Sequence, residues 1–93
     1  MIKRVSVWRL KNKEDAETMK DALLSMKDKV PSLVDIEVGI NISSHSSAFD
    51  IVFIGSFVNS EALKAFESDK FHESIGGLVN RLKEQRVVVD YEF

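Results

Sequence analysis

Residues 49–57 carry the densest run of apolar side chains in the chain. The run is rich in β-branched and aromatic residues, which favours a strand over a helix. Successive residues of a strand point to opposite faces. The apolar side chains therefore divide into Phe49, Ile51, Phe53 and Phe57 on one face and Val52 and Ile54 on the other. A strand with two apolar faces needs a cover on each side.

The spacing of apolar positions predicts the other elements. Alternation with a period of two predicts further strands, over residues 2–10, 33–42 and 86–93. Spacing of three and four residues predicts helices, over residues 14–30, 62–66 and 75–82. Pro31 is expected to end the first helix. Residues 69–72 are expected to interrupt the helical structure between the second and third helices.

Side chains near the predicted helix starts favour these boundaries. Asn12 is a candidate N-cap for the first helix, and Asn59 or Ser60 for the second. In the strand over residues 33–42, one face is predicted to point at the core, with Val34, Ile36, Val38, Ile40 and Ile42. The opposite face of that strand is polar, which suits an edge of an antiparallel sheet.

The order of elements is β-α-β-β-α-(α)-β, within one domain over residues 1–93. This order predicts an α+β, ferredoxin-like fold, in which a four-stranded antiparallel sheet in the order 4-1-3-2 carries its helices on one face. The two helical stripes suffice to cover one face of such a sheet, and the other face remains without a cover.

The face without a cover is predicted to be a dimer interface. Its apolar residues are Val5, Val7, Val52, Ile54, Val87, Val89 and Tyr91. Each such side chain gains roughly 1.5–3 kcal/mol on full burial, and monomers rarely expose a contiguous patch of this kind. The simplest cover is a second copy packed sheet on sheet, which makes a dimeric α+β barrel. A partner of different sequence is the alternative.

Composition narrows the classes of function. The chain has 13 Lys and Arg residues, 15 Asp and Glu residues and no cysteine. The charge balance and the aliphatic sheet face disfavour nucleic-acid binding, which uses exposed aromatic residues and a basic field. We expect no disulfide, no metal site, no cofactor, no signal peptide and no membrane span, and a cytoplasmic location.

Several short segments, in order, resemble the stress-responsive A/B barrel family, also called Dabb. These segments are residues 1–5, Pro31 with 36–41, 49–52 with Phe57, 62–66, His72 and 86–91. The resemblance implies a homodimer whose two sheets face each other as a barrel. It implies no single biochemical activity for the family.

The resemblance also marks candidate site residues. His72 falls at the catalytic histidine of a plant polyketide cyclase in the family, which implies a general base at this position. A solvated or helix-capping residue is the alternative, and His45, in a serine-rich loop, is interpreted as solvated. Arg4 stands where the family often has histidine, and Phe66 replaces the tyrosine that assists the cyclase histidine. The reaction of the cyclase is therefore not transferred.

Antiparallel pairing of the first and last strands predicts a contact between Arg4 and Asp90 at the rim of a cavity. The predicted ligand-binding residues are Arg4, Trp8, Phe53, Phe66, Phe71, His72 and Asp90. The leading hypothesis is a dimer that binds a small, partly apolar molecule between sheet and helices. The alternatives are a cofactor-free cyclase- or isomerase-like enzyme with His72 as the base, and a structural dimer whose side chains fill the cavity.

Overall fold

One antiparallel sheet organises the molecule in the computed structural model, which describes residues 1–93. Its strands are β1 (Ile2–Leu10), β2 (Asp35–Ile40), β3 (Ile51–Phe57) and β4 (Lys83–Glu92). The helices are α1 (Ala16–Leu24), preceded by a 3-10 turn (Lys13–Asp15), α2 (Ser60–Ser68) and α3 (Lys70–Leu82). The strand order is β2-β3-β1-β4. The predicted α+β, ferredoxin-like fold and its sheet order are confirmed.

The two faces of the sheet differ in burial. Fully buried residues lie on the face toward the helices, and in β1 and β3 they include Trp8, Leu10, Ile51, Phe53 and Phe57. On the other face the apolar side chains line up across neighbouring strands. In one row, Val5 of β1 lies between Ile54 and Val89. In the other row, Val7 lies between Val52 and Val87. This two-row surface, with Tyr91, is called the valine face below; β4 contributes its most exposed residues.

The first helix is shorter than predicted. It ends at Leu24, and residues 25–33 follow as tight turns in which Met26 N donates to Leu23 O at 3.1 Å. Asp28 has a φ of 65°, a left-handed conformation that cannot continue a right-handed helix. Met26 and Val30 are nonetheless buried, which explains why the apolar spacing extends past the helix. Pro31 is therefore not the residue that ends it.

The second strand is also shorter than predicted. Val34 and Ile42 lie outside it and are 56% and 101% exposed, so their predicted place on the core face is wrong. Val38 is buried, and Ile36 and Ile40 are half-buried. Asn41 N still donates to Asp50 O at 2.9 Å. The chain leaves the sheet after Asn41, whose side-chain Oδ1 accepts from Ser43 N at 2.9 Å. The strand has a neighbour on one side only, so its ends are weakly held.

Caps set the boundaries of the last two helices. Asn59 Oδ1 accepts from Ala62 N at 2.9 Å, which confirms the predicted N-cap of α2, whereas the side chain of Asn12 caps nothing. Asp69 separates α2 from α3, and its Oδ1 accepts from Phe71 N at 2.8 Å and His72 N at 3.2 Å. The predicted break is thus one residue long, and His72 lies in the first turn of α3. No helix is long and apolar enough to cross a membrane.

Candidate functional site

A cavity of about 300 Å³ lies between the helix-facing side of the sheet and the helices. The sheet contributes Arg4, Ser6, Trp8, Phe53 and Arg86, and α3 contributes His72, Ile75, Gly76, Val79 and Asn80. The wall is completed by Leu23, Met26, Phe66, Glu67 and Lys83. Seven of the 15 lining residues are hydrophobic, seven are polar or charged and one is glycine, so the cavity wall is mixed in character.

Arg4 is held by two carboxylates. Its Nε donates to Asp90 Oδ1 at 2.8 Å and its Nη2 to Asp90 Oδ2 at 3.0 Å, the paired geometry that suits a guanidinium and a carboxylate. The Nη2 atom also contacts Glu67 Oε2 at 3.3 Å. The hydrogen bonds from Arg4 lower the pKa of Asp90, and those to Asp90 raise the pKa of Arg4. The predicted contact is present, and the charge of Arg4 is already compensated.

Arg86 is a second guanidinium in the cavity wall, with different partners. Its Nη2 donates to Ser6 Oγ at 2.9 Å, and its guanidinium carbon lies 5.9 Å from the centre of the Trp8 ring. No carboxylate lies within 4.0 Å of it. Burial lowers the pKa of Arg86, and the charge of Arg4 acts in the same direction, while the charges of Asp90 and Glu67 oppose the shift. The guanidinium without a carboxylate contact in the cavity wall is therefore that of Arg86 rather than that of Arg4.

His72 lies in the cavity wall because Asp69 fixes the first turn of α3. Its ring stacks on Phe66 with 4.0 Å between ring centres. Burial lowers the pKa of His72, as do Arg4 and Arg86, while the carbonyl of Phe66 and the charge of Asp69 oppose the shift. The Nδ1 atom is buried without a hydrogen-bond partner. A neutral imidazole at pH 7 follows, and neutral imidazole is the form that accepts a proton.

Trp8 is 4% exposed and forms part of the cavity floor. Its indole Nε1 is buried and makes no hydrogen bond. Buried polar atoms usually have partners. Trp8 and His72 both line the cavity, and each has a buried nitrogen without a partner that solvent does not reach.

The structure brings together most of the predicted ligand-binding residues. Arg4, Trp8, Phe53, Phe66 and His72 line the cavity. The other two predicted residues do not line the cavity. Phe71 precedes His72 by one helical position, about 100° around the helix axis, and it packs against the core instead of lining the cavity. Asp90 does not line the cavity either, because Arg4 holds its carboxylate.

Sequence reasoning missed some of the charged lining residues. These residues are Glu67, Lys83 and Arg86. Of the three, only Arg86 could have been predicted, because alternation along the last strand places it on the same face as Asp90. His45 lies outside the cavity in an exposed loop, where its Nδ1 accepts from Ser47 N at 3.0 Å. No three His, Cys, Asp or Glu side chains are close enough to hold a metal ion.

The fold defines a small ferredoxin-like α+β protein with a cavity between sheet and helices. The family model for the Stress responsive A/B Barrel Domain, Dabb, matches residues 2–93. The chain therefore belongs to the Dabb family, and the resemblance noted from the sequence is confirmed. Comparison with curated proteins found no match.

Solved structures share the fold over almost the whole chain. A Bacteroides fragilis protein described as dimeric, ferredoxin-like and of unknown function has 25% identity and a TM-score of 0.87, over 99% of this chain and 95% of its own. A dimeric ferredoxin-like protein of unknown function from Thermobifida fusca has 15% identity and a TM-score of 0.87, over 99% and 90%. A hydroxynitrile lyase from Passiflora edulis has 11% identity and a TM-score of 0.83, over 97% and 90%. The latter two likenesses show the fold alone.

Proposed function

We propose that this protein is a homodimer that binds a small, partly apolar molecule in the cavity between sheet and helices. One observation carries the proposal: a space of about 300 Å³ stays open although Trp8, Phe53 and Phe66 all line it. This volume lies at the lower end of the range for small-molecule sites. The open space also weighs against a purely structural dimer whose own side chains fill the cavity.

The valine face supports the homodimer. No helix covers it, and Val87, Val89 and Tyr91 are 46%, 61% and 44% exposed in the single chain. A second copy related by a two-fold axis would bury this self-complementary apolar surface. The structural neighbours from Bacteroides fragilis and Thermobifida fusca are described as dimeric. Assembly through this face leaves the cavity, on the other side of the sheet, free to bind.

A ligand screen by thermal shift tests binding, on a sample whose mass in solution has been measured. Gly76 offers a way to close the cavity, because it lines the wall and a Cβ added there meets no atom within 4 Å. A Cβ at Gly77 is equally free, but that residue does not line the cavity. Gly76→Leu should abolish the rise in melting temperature that a ligand gives, and the matched control Gly77→Leu should retain it.

The screen contradicts the proposal in two ways. If no compound raises the melting temperature of the wild-type protein, the structural dimer becomes the better hypothesis. If Gly76→Leu and Gly77→Leu respond alike to every compound that binds, the ligands occupy another place. A monomeric mass at micromolar concentration would contradict the homodimer. Ligand binding in the cavity would still be tested by the screen.

A cofactor-free enzyme is the second candidate function, favoured by the lowered pKa of His72 in the cavity wall. A neutral imidazole there would take a proton from an acidic carbon or phenol of the bound molecule. The fold is able to carry catalysis, since one structural neighbour is a hydroxynitrile lyase. The ring stacked on His72 is Phe66, however, which has no hydroxyl to assist.

Binding and catalysis are separated by His72→Phe, which keeps an aromatic ring against Phe66 and removes the base. The readout is deuterium exchange at acidic C–H positions of each compound that the screen finds. An enzyme of this kind accelerates exchange in the wild type and loses the acceleration in His72→Phe, while the thermal shift persists. Equal exchange rates with both proteins would contradict the enzyme hypothesis and leave binding as the only function.

A further inference from the structure

The charges around the cavity are unevenly matched. Glu67 is the one acidic residue in the wall, and its carboxylate lies 3.3 Å from Arg4. Arg4 also takes both oxygens of Asp90. By contrast, Arg86 and Lys83 line the same cavity with no carboxylate within 4.0 Å of either. The wall thus contains positive charge that the protein itself does not pair.

Arg86 is held in a defined position. Its single hydrogen bond within the protein goes from Nη2 to Ser6 Oγ, and Trp8 lies beneath the guanidinium at 5.9 Å. A guanidinium has five N–H donors, so most of those on Arg86 have no protein acceptor. Such a planar, pre-oriented fork matches the two oxygens of a carboxylate. Ser6 is itself 1% exposed, which fixes the anchor on the sheet.

Seven of the 15 residues that line the cavity are hydrophobic. Phe53, Phe66 and Val79 are each less than a tenth exposed, and they form the wall together with Leu23, Met26 and Ile75. Arg86 is an exposed residue at the edge of this wall, and its guanidinium adds a positive charge there. A molecule with an anionic end and an apolar body would satisfy both parts of the site.

We propose that the molecule bound in this cavity is a small carboxylic acid, whose carboxylate is bound by Arg86 and whose apolar body contacts Phe53, Phe66 and Val79. This inference rests on the proposed function, because it names the ligand class for the same cavity. One guanidinium offers two parallel donors, which match the two oxygens of a carboxylate, and the seven hydrophobic residues of the wall suit an apolar body.

The test uses two acids and their neutral counterparts: 3-phenylpropanoate with 3-phenylpropanamide, and octanoate with octanamide. Trp8 is the only tryptophan of the chain and lies in the cavity floor, so its fluorescence reports occupancy directly. A charge-assisted hydrogen bond should make each acid bind about ten-fold more tightly than its amide, or better. Octyl phosphate serves as a competing anion of the other class.

The decisive variant is Arg86→Gln, with Arg81→Gln as the matched control because Arg81 is exposed and does not line the cavity. In Arg86→Gln the acid should lose its advantage, so that acid and amide bind within about two-fold of each other, while the affinity for the amide is unchanged. Arg81→Gln should keep the preference. Arg86→Lys, which retains the charge without the fork, should keep part of it and replaces Arg86→Gln if that variant does not fold.

Each other outcome overturns the inference in a distinct way. Equal binding of acid and amide by the wild type would overturn the carboxylate class and leave the binding cavity standing. A preference for the acid that survives in Arg86→Gln would overturn the role of Arg86. Tighter binding of octyl phosphate than octanoate would replace the class by phosphate esters. If neither the acids nor the amides bind, this inference is overturned. If the thermal-shift screen also finds no ligand, the proposed function is overturned too.

Discussion

The pKa of His72 predicts how the stability of this protein depends on pH. Burial lowers this pKa below its ordinary value of 6.5, so at mildly acidic pH the unfolded chain binds a proton that the folded chain does not. Stability therefore falls as protons are added in this range. The contribution of neutral His72 is fully present above pH 6.5 and is lost as the pH falls through the folded-state pKa. His72→Phe removes the titrating group and should remove this loss.

The size of the effect is bounded by a single proton. One proton gives at most about 1.4 kcal/mol per pH unit in the free energy of unfolding. His72 is only half-buried, and solvent screening keeps the change below that ceiling. At neutral pH the variant should be close to the wild type in stability, because the ring still packs on Phe66.

Urea unfolding from about pH 5 to about pH 8 measures this effect. Both proteins are compared at one concentration, because association adds to apparent stability. The wild type should lose stability relative to His72→Phe below pH 6.5. NMR titration should place the His72 transition below 6.5, and Arg86→Gln should move it upward, since Arg86 contributes to the shift. Parallel pH profiles for the two proteins would refute the reasoning.

Three further predictions concern assembly and stability. Val89→Asp should halve the mass in solution by light scattering, whereas Val88→Asp, on the opposite face of β4, should leave the mass unchanged; equal masses for both would refute the valine face as the interface. Asn59→Ala should cost about 1 kcal/mol in urea unfolding through the lost cap of α2, and no loss would contradict that role. Gly76→Ala and Gly77→Ala should each stabilise α3 by about 0.5–1 kcal/mol, measured as higher melting temperatures, and lower ones would contradict the open space at these positions.

Alternation along the strands was enough to predict the surfaces of the sheet. A residue on a strand can point to only two faces, so the valine face followed from Val5, Val52 and Val89 without coordinates. Antiparallel pairing of the first and last strands likewise predicted the contact of Arg4 with Asp90, which the register of β1 and β4 provides. These predictions succeeded because they depend on local geometry and on one pairing.

Positions that depend on contacts between distant segments were not predictable in this way. Burial of Met26 and Val30 extends the helical spacing past Leu24, but the left-handed Asp28 ends the helix. Similarly, the apolar alternation of β2 runs on to Ile42, yet the strand stops at Ile40, where Asn41 bonds to Ser43. Apolar spacing records which side chains are buried, and it does not record the backbone path that buries them.

The sequence by itself determined the order of elements, the sheet and the face left without a cover, because the periods of two and of three to four residues follow from backbone geometry. Only the tertiary structure decided the electrostatics of the cavity. Three segments far apart in the chain bring Arg4, Glu67 and Asp90 into contact, and that contact leaves Arg86 without a carboxylate. Charge pairing depends on distances of a few ångströms between such segments, and no local pattern encodes them.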